Sequence, residues 1–275
     1  MFIQNSYRFG GAVADQRFIF SVKTDNAGTS SNSQFTIPTN TSGITQSFNY
    51  DIETSDGQTI TGVTGNQTIT FPSAGTYDIF ISGSFPYMYF NNGGDKLKLL
   101  EIKNFGVYAL GSTSQSIAFR GCSNMLITAN DIGNFGNVTN FGFAWLGCSS
   151  LVSFPLIDTS SGTNLSYAWF GCSGLVSFPL LDTSSSTNFL RTWDNCSGLT
   201  SFTSNAFDTN IASNYTDSFK NTNLTTQSID NILVSLDTSG VSNGTFTQSG
   251  GSAPSATGNT AVDNLVIKGW TVTTT

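Results

Sequence analysis

The feature that most constrains this chain is a repeat of about 24 residues in its second half. Three full copies align without gaps: FAWLGCSSLVSFPLIDTSSGTN (143–164), YAWFGCSGLVSFPLLDTSSSTN (167–188) and RTWDNCSGLTSFTSNAFDTN (191–210). A degenerate copy precedes them at 117–134, and a shortened one follows at 216–226. Since a unit of this length cannot bury its own apolar side chains, we expect the copies to stack and to share one core.

The spacing within each copy predicts which side chains form that core. An aromatic residue stands three positions before the cysteine, one helical turn away, and Met or Leu stands three positions after it. A short extended run containing Phe154, Phe178 or Phe202 follows in the full copies. A helical turn, a corner and a short strand are the anatomy of a leucine-rich repeat. The predicted repeat core is Phe119, Cys122, Trp145, Cys148, Leu151, Trp169, Cys172, Leu175, Trp193, Cys196 and Leu199.

These residues resemble the BspA-like, or treponemal-type, leucine-rich repeat family, whose signature is F-x-x-C-S-x-L-x-x-I/F. The match runs from about Leu97 to Leu236, and Trp replaces the first Phe in the three full copies. The resemblance implies a parallel β-solenoid of bacterial and phage surfaces, with adhesion as its usual role.

The first third of the chain has a different pattern. Between Phe18 and Phe90, six short β-type runs are separated by Gly, Asn and Ser turns, and this pattern predicts a β-sandwich. The turn Ser55-Asp56-Gly57 and the segment SAGTY (73–77) resemble the PKD-type immunoglobulin-like module, although the Trp before that family's Gly-Asp-Gly turn is missing. This resemblance covers about 70 residues and implies a spacer or adhesion module.

The C-terminal region is predicted to close the array. Apolar residues from Thr226 onward follow a helical spacing: Ile229, Ile232, Leu233 and Leu236. After a Gly/Ser/Asn loop, a short helix stopped by Gly269 and a terminal strand are expected to hold Ala261, Leu265 and Trp270.

The expected fold class is therefore mainly β, with an N-terminal β-sandwich, a short leucine-rich-repeat-type solenoid and a helical C-terminal cap. The predicted boundaries are an attachment segment at 1–16, the sandwich at 17–95, the solenoid at 96–222 and the cap at 223–275.

Composition excludes several classes of function. The chain has no histidine, which removes His general bases, Ser-His-Asp and Cys-His arrangements and His-ligated metals. Its net charge is -7 and its ten Lys and Arg are scattered, so it lacks the basic footprint of a nucleic-acid binder. No stretch approaches the roughly 18 apolar residues of a membrane span. We expect no catalytic, cofactor-binding or metal-binding residues.

Three sets of residues have a functional and a structural interpretation. Trp145, Trp169 and Trp193 could form a stacking platform for sugars, but their periodicity favours a buried core. The four cysteines could bind a metal or form disulfides between copies, but buried thiols are favoured. The candidate ligand face is a carboxylate row that could bind Ca²⁺ or polar glycans, although turn formation is the favoured role; it consists of Asp158, Asp182 and Asp208.

The sequence favours a non-enzymatic phage virion protein, a tail or head fibre or a decoration protein, that attaches to a host surface through its solenoid. Its uncharged, Ser/Thr/Asn-rich composition is typical of proteins that face the outside, and its start lacks the pattern of a Sec signal peptide. The expected partners are other virion proteins or further copies of itself, and a host glycan or protein. The alternatives are a bacterial cell-surface adhesin and, less favoured, a polysaccharide depolymerase. For the latter, the two Glu residues, Glu53 and Glu101, lie in different segments; Asp residues could still serve, but nothing in the sequence marks an opposed carboxylate pair.

Overall fold

The computed structural model describes residues 15–275, and the protein is mainly β, with 26% strand and 10% helix. The predicted class and the two predicted C-terminal helices are confirmed. The predicted attachment segment lies outside the described residues, apart from Asp15 and Gln16. The elements are β1 (Phe18–Lys23), β2 (Gln34–Ile37), β3 (Asn49–Thr54), β4 (Thr59–Val63), β5 (Gln67–Thr70), β6 (Thr76–Ser84), β7 (Leu99–Asn104), β8 (Leu126–Ile127), β9 (Ser177–Phe178), β10 (Ser201–Phe202), β11 (Asn214–Phe219), α1 (Thr226–Thr238), β12 (Thr245–Gln248), α2 (Ala256–Ile267) and β13 (Thr271–Thr273).

Each of the six runs predicted as strands before Phe90 contains one, β1 to β6. A six-stranded mixed sheet has the order β4-β3-β6-β1-β7-β8, and β2 pairs with β5 in a separate antiparallel sheet. Alternation places one face of each strand in the core, as in β3, where Tyr50 and Ile52 are buried and Asp51 is exposed. The two sheets share this core, because the rings of Phe20 in β1 and Phe35 in β2 lie 6.0 Å apart, centroid to centroid.

The large sheet continues into the repeat region. Strand β7, which follows residue 95, pairs antiparallel with β1, and β8 from the degenerate first copy pairs parallel with β7. The first copy is therefore attached to the N-terminal region by main-chain hydrogen bonds.

The repeat copies lie side by side, parallel and in register. Equivalent asparagines form parallel bridges from copy to copy, Asn140 with Asn164 and Asn164 with Asn188. Strands β9 and β10 are also parallel, with Phe178 opposite Phe202. Each copy thus offers equivalent main-chain groups to the next, which is the arrangement expected when identical patterns share a core.

The helical turn predicted between the aromatic residue and the cysteine is wrong in its backbone. Among residues 15–275, the helices are α1 and α2, and the Trp145–Cys148 segment is a hydrogen-bonded turn, with the Cys148 N–H donating to the Trp145 carbonyl at 3.1 Å. Left-handed residues, Phe143 with φ 62° and Gly147 with φ 74°, stand on either side of it. They interrupt any right-handed run and leave the Phe143 amide free to bond the Ser166 carbonyl of the next copy at 3.0 Å.

Helix α1 packs on the last full copy, and α2 packs against α1. Thr225 caps α1 by accepting the Ser228 N–H, and the buried side of α1 carries the four apolar residues predicted for it. The Ser228 hydroxyl donates to the Thr200 carbonyl at 3.1 Å, which joins α1 to the copy that contains β10. Trp270 lies beyond α2, between Gly269 and β13, and its indole N–H donates to the Val241 carbonyl at 2.8 Å. Within the described part of the chain, neither helix is long and apolar enough to cross a membrane.

Candidate functional site: the outward side of the stacked copies

The tryptophans form an internal column. The rings of Trp145 and Trp169 are 5.3 Å apart with planes 8° apart, and those of Trp169 and Trp193 are 5.9 Å apart with planes 4° apart. Phe154 and Phe178 meet these indoles edge to face. The column is sealed from solvent, because none of the three indoles is more than 1% exposed. The faces of the indole rings therefore pack against one another and are not accessible to a sugar ring.

The cysteines lie beside this column as free, buried thiols. The thiol of Cys172 donates to the Trp145 carbonyl of the preceding copy at 3.2 Å, and Cys196 bonds the Trp169 carbonyl in the same way at 3.1 Å. Burial raises the pKa of all four thiols, which disfavours the reactive thiolate. The eleven residues predicted as repeat core are all buried.

The three aspartates of the candidate ligand face do not share one environment. Oδ1 of Asp158 accepts the Ser160 amide at 3.0 Å, and Oδ1 of Asp182 accepts the Ser184 amide at 2.9 Å, so both make turns. The bonds from Ser184 lower the pKa of Asp182. Oδ1 of Asp208 instead accepts the hydroxyl of Ser235 in α1. Across residues 15–275, no three Asp, Glu, Cys or His side chains are grouped as a metal site would require.

A Thr-Asn pair, which was not singled out from the sequence, recurs in the repeat and stabilises a turn in each copy. Oδ1 of Asn140, Asn164 and Asn188 accepts the amide two residues later, at 2.9–3.0 Å, and so closes an Asx turn. The threonine before each asparagine is exposed, and its hydroxyl donates to a main-chain carbonyl of the preceding copy. The signal was present, because Thr-Asn recurs at the repeat period at 139–140, 163–164 and 187–188.

A column of left-handed residues was also overlooked. Equivalent positions in five successive copies have φ between 52° and 62°, and none of them is glycine: Ile117, Phe143, Tyr167, Arg191 and Asp217. Such a conformation is uncommon for bulky residues, and neighbours in the column stabilise it. The rings of Phe143 and Tyr167 stack at 4.7 Å, the guanidinium of Arg191 lies 6.0 Å from the Tyr167 ring centroid, and Arg191 pairs with Asp217 at 3.4 Å.

The segment that follows the cysteine in the first two full copies exposes four aliphatic side chains, which we call the aliphatic floor. Leu151 and Phe154 point inward and are buried, whereas Val152 is 54% and Leu156 is 59% exposed. The second copy repeats this arrangement, with exposed fractions of 50% for Val176 and 51% for Leu180. The Val176 amide donates to the Val152 carbonyl at 3.1 Å, so the two valines are neighbours across the copies.

In comparisons with known proteins, no family model, no curated protein and no solved structure matches this chain. The geometry defines a mainly β protein whose repeat copies bury their tryptophan and cysteine residues and turn Thr, Ser, Asp and aliphatic side chains outward.

Proposed function

We propose that this protein is a non-enzymatic structural protein of a phage virion, a tail or head fibre or a decoration protein, that attaches to a host surface through its repeat copies. In this interpretation the two N-terminal sheets form a PKD-type β-sandwich, residues 96–222 form a short BspA-like leucine-rich-repeat solenoid, and α1 and α2 form its cap. The chain would be displayed in several copies, because many weak contacts on a repetitive face gain strength from multivalency.

The observation that carries the proposal is the in-register pairing of equivalent residues, Asn140 with Asn164 and Asn164 with Asn188. This register places every outward position of one copy beside the equivalent position of the next copy. A periodic open surface of this type suits recognition of an extended partner, as in other repeat proteins. The outward hydroxyl, amide and aliphatic side chains are all suited to such contacts.

The test has two measurements on native material. Mass spectrometry and immunogold labelling of density-banded virions from the source lysate should find the chain at the particle surface. Fluorescently labelled purified protein should bind intact host cells saturably and should release no reducing ends from host polysaccharide. Absence from virions together with labelling of the producing cell's own surface would favour a bacterial adhesin instead. Release of reducing ends would contradict the non-enzymatic assignment.

A further inference from the structure

The outward positions of the aliphatic floor are not aliphatic in every copy. The third full copy keeps the inward residues, with Leu199 and Phe202 buried, but has Thr200 and Ser204 at the outward positions. Stacking therefore continues without outward aliphatic side chains. Val152 and Val176 are neighbours across the two copies, Leu156 and Leu180 stand at equivalent positions of the same copies, and all four are at least half exposed. Exposure of apolar side chains has an unfavourable hydration cost, and contiguous exposed apolar surface commonly marks interaction sites.

The floor is bordered by unneutralised negative charge. Asp158 and Asp182 each lie two residues beyond an outward leucine, and Oδ2 of each makes no hydrogen bond or ion pair with the described residues. From residue 120 to residue 220, the sequence contains six aspartates and three basic residues, Arg120, Arg191 and Lys220. Arg191 and Lys220 already pair with Asp217. The two carboxylates beside the outward leucines have no basic partner among the described residues, so the local potential there is negative.

We propose, building on the attachment function above, that the aliphatic floor binds an extended polypeptide of the host surface that carries alternating aliphatic and basic side chains. Aliphatic side chains of the partner would cover Val152, Leu156, Val176 and Leu180, and Lys or Arg would pair with Asp158 and Asp182. Charge complementarity selects this occupant: a second copy of the chain, with its net charge of -7, would be repelled. A neutral glycan would leave both the carboxylates and the aliphatic surface poorly matched.

The test uses the full chain and three synthetic probes of equal length: an alternating Leu/Lys peptide, a Ser/Lys peptide and a Leu/Glu peptide, each fluorescein-labelled. Anisotropy titrations at low salt should show that the Leu/Lys peptide binds at least about tenfold more tightly than either of the others. Only this peptide has both leucines to cover the aliphatic floor and lysines to pair with the aspartates. Raising the salt concentration should weaken its binding. Equal affinity for all three peptides would overturn the proposal.

Two double variants locate the site. Val176→Thr with Leu180→Ser installs the residues that the third copy already has, and should weaken Leu/Lys binding about tenfold. Asp158→Asn with Asp182→Asn should weaken it by a smaller factor and reduce its salt dependence. The matched control is Val234→Thr with Val266→Thr, which changes two exposed helix valines away from the floor and should bind as the wild type does. Wild-type affinity in the first double variant would contradict the assignment, provided that its circular dichroism melt is unchanged.

The same variants separate this inference from the proposed function. If host cells bind the wild type and the Val176→Thr/Leu180→Ser variant equally, attachment stands and the floor is the wrong face. If host cells bind neither protein while the Leu/Lys peptide still distinguishes them, the floor is a peptide site and the attachment function fails.

Discussion

The second and third full copies have the same interior and different exteriors. Trp169 and Trp193 stack with planes 4° apart, and Phe178 and Phe202 stack with planes 3° apart. Outside this interior, Val176 corresponds to Thr200 and Leu180 to Ser204. The inward residues are kept where the outward residues change, so we expect the outward positions to tolerate substitution.

The third copy differs because it meets the cap. Helix α1 bonds main-chain groups of residues 200–207 through Ser228, Asn231 and Ser235. The equivalent part of the second copy pairs instead with the third copy. One change places a charge in the interior: Asp194, whose side chain is only 2% exposed, stands where the second copy has the partly buried Phe170. The third copy therefore contains both the transition to the cap and a buried charge.

The largest effect is expected at the centre of the shared interior. Trp169→Ala should lower the free energy of unfolding by about 3–5 kcal/mol, because it removes a fully buried indole that stacks on two others. Trp169→Phe should cost less: it keeps an aromatic ring and removes an indole N–H that has no acceptor in the described structure. Urea unfolding followed by circular dichroism measures both values.

Tyr167→Ala in the same copy is the control, since that ring is only partly buried and belongs to the outer column. If Trp169→Ala costs no more than Tyr167→Ala, the internal column is not the element that maintains the stack.

The buried side chains of the repeat could be predicted from the sequence, whereas the unusual backbone conformations could not. The inward Trp, Cys and Leu could be read from their spacing, because burial requires recurrence at the repeat period. The left-handed column could not, since Phe143, Tyr167 and Arg191 lack the Gly or Asn that normally signals positive φ. The helical turn was mispredicted for the same reason. The Thr-Asn corners were readable but were overlooked beside the stronger aromatic signal.

The second prediction concerns Asp194, the buried charge of the third copy. Its Oδ1 has no hydrogen-bond partner in the described structure, and its Oδ2 is 3.4 Å from Nε of Arg191. Asp194→Leu, which installs the residue of the equivalent position 146, should raise the free energy of unfolding at pH 7 by about 1–3 kcal/mol, because an incompletely satisfied buried carboxylate is removed. Arg191 keeps Asp217 as a partner.

The gain should depend on pH in a defined direction. Burial raises the pKa of Asp194 above its ordinary value of 3.8, against the opposing effect of Arg191. The folded state therefore holds this proton more tightly than the unfolded state does, and the contribution of Asp194 to stability falls as pH rises from 3.8 through the raised pKa. The difference in stability between Asp194→Leu and the wild type should consequently be small at acid pH and grow toward neutrality. A difference that shrinks over the same interval would show that the ion pair with Arg191 outweighs burial.

The smallest change in the free energy of unfolding is expected at an outward position where the second and third copies differ. Val176→Thr should change the free energy of unfolding by less than about 0.5 kcal/mol, because the side chain is half exposed and the third copy already has Thr at this position. Leu175→Thr, one residue earlier and fully buried, should cost several times more, since it leaves a cavity and introduces a hydroxyl. Paired urea titrations of the two variants measure the contrast directly. Comparable losses would mean that Val176 stabilises its own copy through contacts that Thr200 does not need, and the outward positions would then not be free to vary.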